Sequence, residues 1–566
     1  MYILGIWDGH DAGAALIDGS KIIFASNEER YTNRKLEVGF PYNSIKAAIR
    51  HAGIKPSDID YVAFSTTDLS KTIERLIPSL KESYYLFRRR KIPKPHLERL
   101  RRMIKYTITL YGRNAILDQI NKSIIAKYLK KIGIDKAEII PVEHHIAHAA
   151  GAVFTNNKRE QLVITLDGLG DGLSGSISVF RDSELTRIKS FPSRDSLGIL
   201  YEQVTSILGM RELEDEGKVM AMADYSYPFK LEENKLRDLI KLDHGDIKAR
   251  LHPAKQYLHI DSIAWQTPRE QLAYMAQQLL EASIVRLVKY YIDETGISDI
   301  AMAGGVFSNV KANMKLRELD DVESWYVFPH MGDGGIALGA ALYVAYQKLG
   351  KTYYKMSPYL GDSYDYNYIE DILKSNNKIS YEYEGDEAAH HAAELLSENM
   401  YVLWYNGRME YGPRALGDRS ILARSDDDTV KDNLNLYVKK REWFQPFAPS
   451  ILTEDIDKLL IYDDKGKPLY MTMAYRANEE NIDMLKSVVH VDNTARPQEV
   501  VKSVNPVYYE LISRFKKLSG YGVILNTSFN LHGYPIVNRP EEAIDTLLKT
   551  RSKYLFIDGF FIEAVK

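Results

Sequence analysis

Apolar residues along the chain follow two rhythms. Short unbroken runs that end on Gly or Asp read as buried strands: YILGIW (2–7), YVAFST (61–66), the start of QLVITLDGLGDGLSGSISVF (161–180), and ISDIAMAGGVFSN (297–309). Asp18-Gly19 between two apolar runs predicts a hairpin, because both residues tolerate positive φ. Helical spacing takes over between Pro41 and Gly53 and again over 267–296. In the latter, Thr267 is expected to cap the helix, with Pro268 at the first turn and Glu270 completing a capping box. Leu272, Leu279, Leu280, Ile284, Leu287 and Tyr291 give that helix one apolar face, and Gly296 ends it. Residues 331–346 are a Gly-rich loop opening a further helix. Pro358 and Gly361 interrupt the pattern, and helix EAAHHAAELLSEN (387–399) followed by strand MYVLWYNG (400–407) resumes it. The alternation predicts an α/β protein with one domain over 1–355 and a second over 362–566.

Composition narrows the chemistry. The 566 residues carry 74 basic and 77 acidic side chains, a formal net charge of −3, which does not suggest a nucleic-acid binder or an acidic tail protein. There is no cysteine, so disulfides, Cys-ligated zinc, iron–sulfur clusters and thiol nucleophiles are excluded. No uncharged apolar run reaches the ~18 residues of a membrane span and the first residues lack the pattern of a cleaved leader, so a cytoplasmic protein is expected. Residues 88–105 hold nine Lys or Arg against one Glu; they read as a solvated face, or alternatively as a surface for an anionic ligand or partner.

Three Gly/Asp loops follow apolar strands: WDGHDAGA, LDGLGDGLSG, and AGGVFSN paired with MGDGGIALGA. Glycines let backbone N–H groups approach a phosphate, and carboxylates at strand ends hold a metal. Their order, hairpin, hairpin, then helix–strand–helix, resembles the two-lobed actin-like ATPase fold, with Gly168, Gly304, Gly305 and Asn309 at candidate nucleotide contacts. In VEHHIAHAA (142–150), His144 and His148 are four apart; on a helix both imidazoles leave one face and can grip one cation, while His145 points about 100° away. Asp167 and Asp333 are candidate oxygen ligands. Two His and two carboxylates suit Fe²⁺, Mn²⁺ or Zn²⁺ better than Mg²⁺. His10, flanked by Asp8 and Asp11, suits a general base acting on a hydroxyl, and Lys35 is a candidate phosphate contact at the same mouth.

These stretches resemble the NodU/CmcH-type carbamoyltransferases: HDAGAAL, EERYTNRK, HHIAHA, EDEGKVMAMADY, AGGVFSN and GDGGIALGAAL, then GRMEYGPRALGDRSILA (407–423), NLNLYVKKREWFQPFAPSIL (433–452) and VILNTSFNLHGYPIV (523–537). The resemblance spans essentially the whole chain. It implies an actin-like N-terminal domain followed by a YrdC-like C-terminal α/β domain, and an enzyme rather than a scaffold. The C-terminal domain would make carbamoyl-adenylate from carbamoyl phosphate and ATP, with Mg²⁺ accompanying the ATP. The N-terminal domain would transfer the carbamoyl group to a small-molecule hydroxyl acceptor at a divalent metal, Fe²⁺ being favoured. Matched by position, His144, His148, Asp167 and Asp333 fall on metal ligands, His10 on the base, Asp8 on an acceptor contact and Lys35 on an adenylate contact. Arg408, Arg414, Arg419, Lys439 and Arg441 supply cations for phosphate, and Asn526, Ser528 and Asn530 can hold ribose or phosphate. Gln445 departs from the family, which often has Arg there. A hydrogenase-maturation relative would need Cys-rich zinc fingers, which this chain lacks. An actin-like kinase or ATPase, or a non-enzymatic nucleotide binder, would account for the Gly/Asp loops but not for the His pair and the C-terminal arginines.

Overall fold

The computed structural model describes residues 1–93, 98–550 and 552–565. Its first unit is built around two five-stranded sheets of one topology. In the first sheet, Tyr2–Trp7 pairs antiparallel with Gly13–Ile17, which pairs antiparallel with Ile22–Asn27; on its other side Tyr2–Trp7 runs parallel to Ile59–Ser65, and that strand to Glu138–Val142. In the second, Gln161–Gly170 takes the central place, with Leu173–Arg181 and Glu184–Pro192 antiparallel on one side and Asp299–Ala303 and Ser324–Val327 parallel on the other. The repeated meander-plus-parallel order matches the two-lobed actin-like arrangement expected from the loops.

Both hairpins form where the turn chemistry requires. Asp18 accepts from the backbone N–H groups of Ser20 and Lys21, and Gly19 takes φ 83°. The first helix, Tyr42–Ala52, begins after Pro41 and ends on Gly53 in the left-handed region. The long helix Arg269–Thr295 buries its predicted apolar face, but Thr267 does not cap it: its Oγ1 donates back to the Ile263 carbonyl, and Pro268 occupies the cap position.

Two glycines let one helix reach the first sheet and a second helix together. Helix Ile336–Leu349 packs on strand Tyr2–Trp7 where Gly5 has no side chain; a Cβ there would overlap the Ala337 carbonyl. The same helix meets helix His144–Val153 at Gly339, whose missing Cβ leaves room for the Ala147 carbonyl.

The second unit is an eight-stranded mixed sheet in the order Ile379–Tyr383, Phe560–Ala564, Tyr554–Ile557, Val402–Tyr405, Arg419–Arg424, Val523–Ser528, Ala448–Leu452, Gln498–Val500. Helices Glu387–Ser397 and Pro506–Ser519 bury Leu396, Leu511, Ile512 and Phe515 against Trp404, Leu422, Ile524 and Phe556.

The units divide at Met356/Ser357, with one correction to the expected boundaries: Glu29–Leu36 belongs to the second unit. Three hydrogen bonds explain it, from Arg30 to the Gly412 carbonyl (3.1 Å), from Tyr31 to Asp362 (2.6 Å) and from Asn33 to Glu542 (3.0 Å). Of the basic stretch 88–105, residues 94–97 lie outside the described residues. Arg88 and Arg89 are buried, the latter paired with Glu214, so at these positions the expected solvated face is not formed. Among the described residues no helix is long and apolar enough to cross a membrane.

Gly339→Ala is expected to force the two helices apart and destabilise the chain by at least ~1–3 kcal/mol, as overpacking does. Gly217→Ala, in helix Glu216–Ala223 where a Cβ meets open space, is expected to raise stability by about 0.4–1 kcal/mol. Thermal unfolding of both variants checks the contrast.

Candidate active site

The first cluster grows from strand ends and two helix starts. Helix His144–Val153 is capped by Glu143, whose carboxylate accepts from the N–H groups of His145 and Ile146, so His144 and His148 share one face. Asp167 ends the apolar part of strand Gln161–Gly170, and Asp333 opens the turn before helix Ile336–Leu349. The four converge. His144 Nε2 lies 3.1 Å from Asp167 Oδ2 and 3.7 Å from Asp333 Oδ1, and His148 Nε2 lies 3.6 Å from each of the same oxygens.

One ligand atom from each residue falls within 4.8 Å of every other, and buried His148 Nε2 has no hydrogen-bond partner. Two imidazole nitrogens and two carboxylate oxygens facing one point can hold a divalent transition-metal ion. Groups behind them fix their aim. Thr66 Oγ1 sits 3.0 Å from His144 Nδ1, Asp171 accepts from the His144 N–H, and the Gly305 N–H donates to Asp167 Oδ1 (3.0 Å). Gly170 carries no Cβ because the His144 ring occupies that space.

Burial disfavours a charge on His144, but the facing Asp333 and Asp167 outweigh it and raise its pKa to about 9. For His145 the balance reverses: burial and the charge of His144 outweigh Glu143 and depress it to about 3, and it turns to Thr165 as a structural residue.

His10 Nδ1 lies 3.4 Å from the second Asp333 oxygen. Burial lowers the His10 pKa against the pull of Asp333, with Arg88 and Lys71 adding to the depression, so the ring is neutral at pH 7 and able to accept a proton. Asp8 is not available beside it. Its carboxylate is buried and held by Arg75 through two 2.8 Å bonds, with Lys71 at 3.1 Å. Burial alone would raise the Asp8 carboxyl; Arg75, Lys71 and Lys81 overcome it and hold it well below the usual range. Asp8 therefore organises cations rather than meeting a neutral hydroxyl. Asn309 is likewise spent: it caps helix Val310–Arg317 and exchanges both amide bonds with Gln277. Gly304 takes φ 101° and fits against the Leu166 carbonyl, whereas Gly168 faces open space.

A second cluster lies within the second unit. Glu410 accepts from the N–H groups of Leu416, Asp418 and Arg419 and so fixes the loop GPRALG. Arg414 projects from that loop with a buried Nε that has no partner, and Arg496 does the same from ARP after the short strand Thr494–Ala495. Burial pulls Arg414 and Arg441 to about 10, and it pulls Arg496 well below its ordinary value with help from the other two. Each stays charged at neutral pH. Lys439 donates to Ser528 Oγ (3.2 Å) and Asn530 Oδ1 (2.7 Å), and is depressed by burial, Arg441 and Lys35. Basic groups gathered out of water with no carboxylate among their described partners can take an anion.

Two arginines expected here have other tasks. Arg408 binds the Gly361 and Leu360 carbonyls. Arg419 is fully buried, lies over the Tyr405 ring at 3.4 Å, and donates to the Asn406, Asp418 and Gly407 carbonyls. Asn526 Nδ2 is taken up by Ala415, Ser450 and Gln498, which leaves its Oδ1 without a partner.

Family models cover both units. The model described as Carbamoyltransferase N-terminus matches residues 2–342, and that described as Carbamoyltransferase C-terminus matches 393–564. The chain belongs to the carbamoyltransferase family.

This carbamoyltransferase is 34% identical to an uncharacterized protein of Methanocaldococcus jannaschii over 98% of both chains. It is 31% identical to nodulation protein NolNO of Sinorhizobium fredii, over 98% of this chain and 79% of that one. It is also 28% identical to the 3'-hydroxymethylcephem-O-carbamoyltransferase of Streptomyces clavuligerus, over 64% of this chain and 69% of that one.

Sequence reading missed Arg496 in the carbamoyltransferase. A local signal was present, since Arg496 stands between Ala495 and Pro497 as Arg414 stands between Pro413 and Ala415. It also missed Lys71 and Lys81, which lie on helices without a motif, whereas Arg88 opens the basic stretch for which an anionic-ligand surface was the alternative reading.

His148→Ala is expected to remove bound divalent metal with the fold intact. Thr66→Val, which deletes the partner of His144, is expected to weaken binding by ~10- to 100-fold. Metal analysis of the dialysed variants, with circular dichroism, measures both.

Proposed function

We propose that the chain is an ATP-dependent O-carbamoyltransferase that works in two steps. In the first, carbamoyl phosphate is hydrolysed to carbamate and phosphate, and a carbamate oxygen attacks the α-phosphorus of ATP, giving carbamoyl-adenylate and pyrophosphate. In the second, an acceptor hydroxyl attacks the carbamoyl carbon, the O-carbamate forms, and AMP leaves.

The observation that carries this reading is the pair of unlike clusters in a carbamoyltransferase. The second unit gathers Arg414, Arg441, Arg496 and Lys439 with no balancing carboxylate among their described partners, which suits the combined charge of ATP and carbamoyl phosphate. That is the task the YrdC-like reading gives it. The first unit offers His144, His148, Asp167 and Asp333 as a compact donor set with a neutral His beside it.

A divalent ion held by those four residues would supply Lewis-acid stabilisation for the adenylate phosphate, and Fe²⁺, Mn²⁺ and Zn²⁺ fit the donors. A proton on His10 Nδ1, facing Asp333, leaves Nε2 to take the acceptor's proton. A hydroxyl acceptor is supported by the O-carbamoyltransferase relative.

His10→Ala is expected to slow carbamoyl transfer by ~10²–10⁴ while metal content is retained. Arg414→Ala is expected to abolish ATP–pyrophosphate exchange dependent on carbamoyl phosphate. Release of ADP instead of AMP would assign the chain to kinase chemistry and remove the two-step reading.

A further inference from the structure

Beside His10 the first unit carries more positive charge than the reaction requires. Lys71 and Arg75 sit one turn apart on helix Leu69–Leu76, and Lys81 and Arg88 two turns apart on helix Pro78–Arg88. All four are buried. Their carboxylate partners are Asp8, shared by Lys71 and Arg75, and Glu74, 4.0 Å from Lys81.

The four are not equally satisfied. Arg75 is saturated by Asp8, Asn121 and the Ser65 and Thr66 carbonyls. Lys71 rests over the Trp7 ring at 4.5 Å, and Trp7 meets His144 edge-on at 5.9 Å, so this group borders the donor set. Lys81 donates to the Asp8 carbonyl. Arg88 is 5% exposed, and its buried Nε and Nη2 have no partner among the described residues. A guanidinium drawn out of water and left unpaired is costly unless a ligand completes it. Its field reaches His10, where it lowers the pKa. Burial and Lys71 pull Lys81 down to about 7, a group that an arriving anion would recharge.

We propose that the acceptor carries, besides its reacting hydroxyl, an anionic oxyacid group that docks on Arg88 and Lys81 next to His10. The proposal rests on the first unit being the transfer site. A neutral or cationic acceptor would itself offer Arg88 no counter-charge. The planar guanidinium presents two donors to a carboxylate or phosphate ester, and Lys81 adds a point charge. Held there, such a molecule would bring a hydroxyl on the same carbon frame to His10.

The test uses the full chain in an Arg414→Ala, Arg441→Ala, Arg496→Ala background, which leaves Lys439 as the one remaining cation of the second unit's cluster. Calorimetric titration with inorganic phosphate is expected to show one site. Arg88→Ala should weaken it on the order of 10- to 100-fold, the worth of a lost charge-assisted hydrogen bond. Lys81→Gln, which keeps the guanidinium, should weaken it less. Competition then sorts the ligand: glucuronate and glucose 6-phosphate should displace phosphate, and glucose and glucosamine should not. Displacement by glucose 6-phosphate alone assigns a phosphate ester, and by glucuronate alone a carboxylate. Phosphate binding unchanged in both variants overturns the proposal, as does displacement by glucose or glucosamine as effective as by the anions. Phosphate that no hydroxylated anion displaces would assign Arg88 to the adenylate phosphate and overturn it too. The titration involves no turnover, so its failure is distinct from failure of the two-step scheme, which the exchange assay reads.

Discussion

The convergence of Asp167 and Asp333 on His144 and His148 is the constraint around which the first unit is built. Two carboxylates cannot be brought this close in a buried site without positive charge between them. Protons on the imidazoles or a bound cation meet that need, and the fold supplies the geometry for either. Each ligand comes from a different piece of chain, so each junction must be tight. Gly170 admits the His144 ring, Gly305 reaches Asp167 through its N–H, and Gly339 lets the helix after Asp333 lie on the helix that bears the histidines. A side chain at any of the three would press on a ligand or on the helix holding it.

The second unit solves the opposite problem. Its cations have few balancing carboxylates and are held by neutral groups: Lys439 by Ser528 and Asn530, Arg441 by Asn435. Their mutual repulsion is a standing cost that a bound polyanion would relieve, which favours ligand over empty site. Where the fold needs a cation for its own stability, it surrounds it with carbonyls, as with Arg419 among three and Arg408 on two. The contrast between arginines wrapped in backbone carbonyls and arginines gathered beside other cations separates scaffold from site.

That contrast also marks how far the sequence could be read. Hairpins at Asp18-Gly19, the helical His pair and the Asp at each strand end were legible, because turn chemistry and periodicity fix them locally. Arg414 was legible from its confinement between Pro and an apolar run. Asp8, Asn309, Arg408, Arg419 and Asn526 looked equally chemical, yet their partners are carbonyls, amides or arginines brought from elsewhere in the chain. Residue type and neighbourhood do not reveal such partners. Arg88 was half legible: its basic run allowed either a solvated face or a surface for an anionic ligand, and burial shows that Arg88 is out of water.

The placement of Glu29–Leu36 bears on how the polypeptide comes into being. Arg30 and the carbonyl it binds at Gly412 are 382 positions apart. At ribosomal speeds of ~5–20 residues per second, this short stretch emerges roughly 20–80 s before its companions exist. The N-terminal sheet on either side of it must therefore close while leaving the stretch unsatisfied, and the C-terminal sheet finishes only by recovering it. Dissecting the enzyme at the interdomain linker would strip the later half of an early-made part, so a free-standing C-terminal half would have to have those eight residues grafted back.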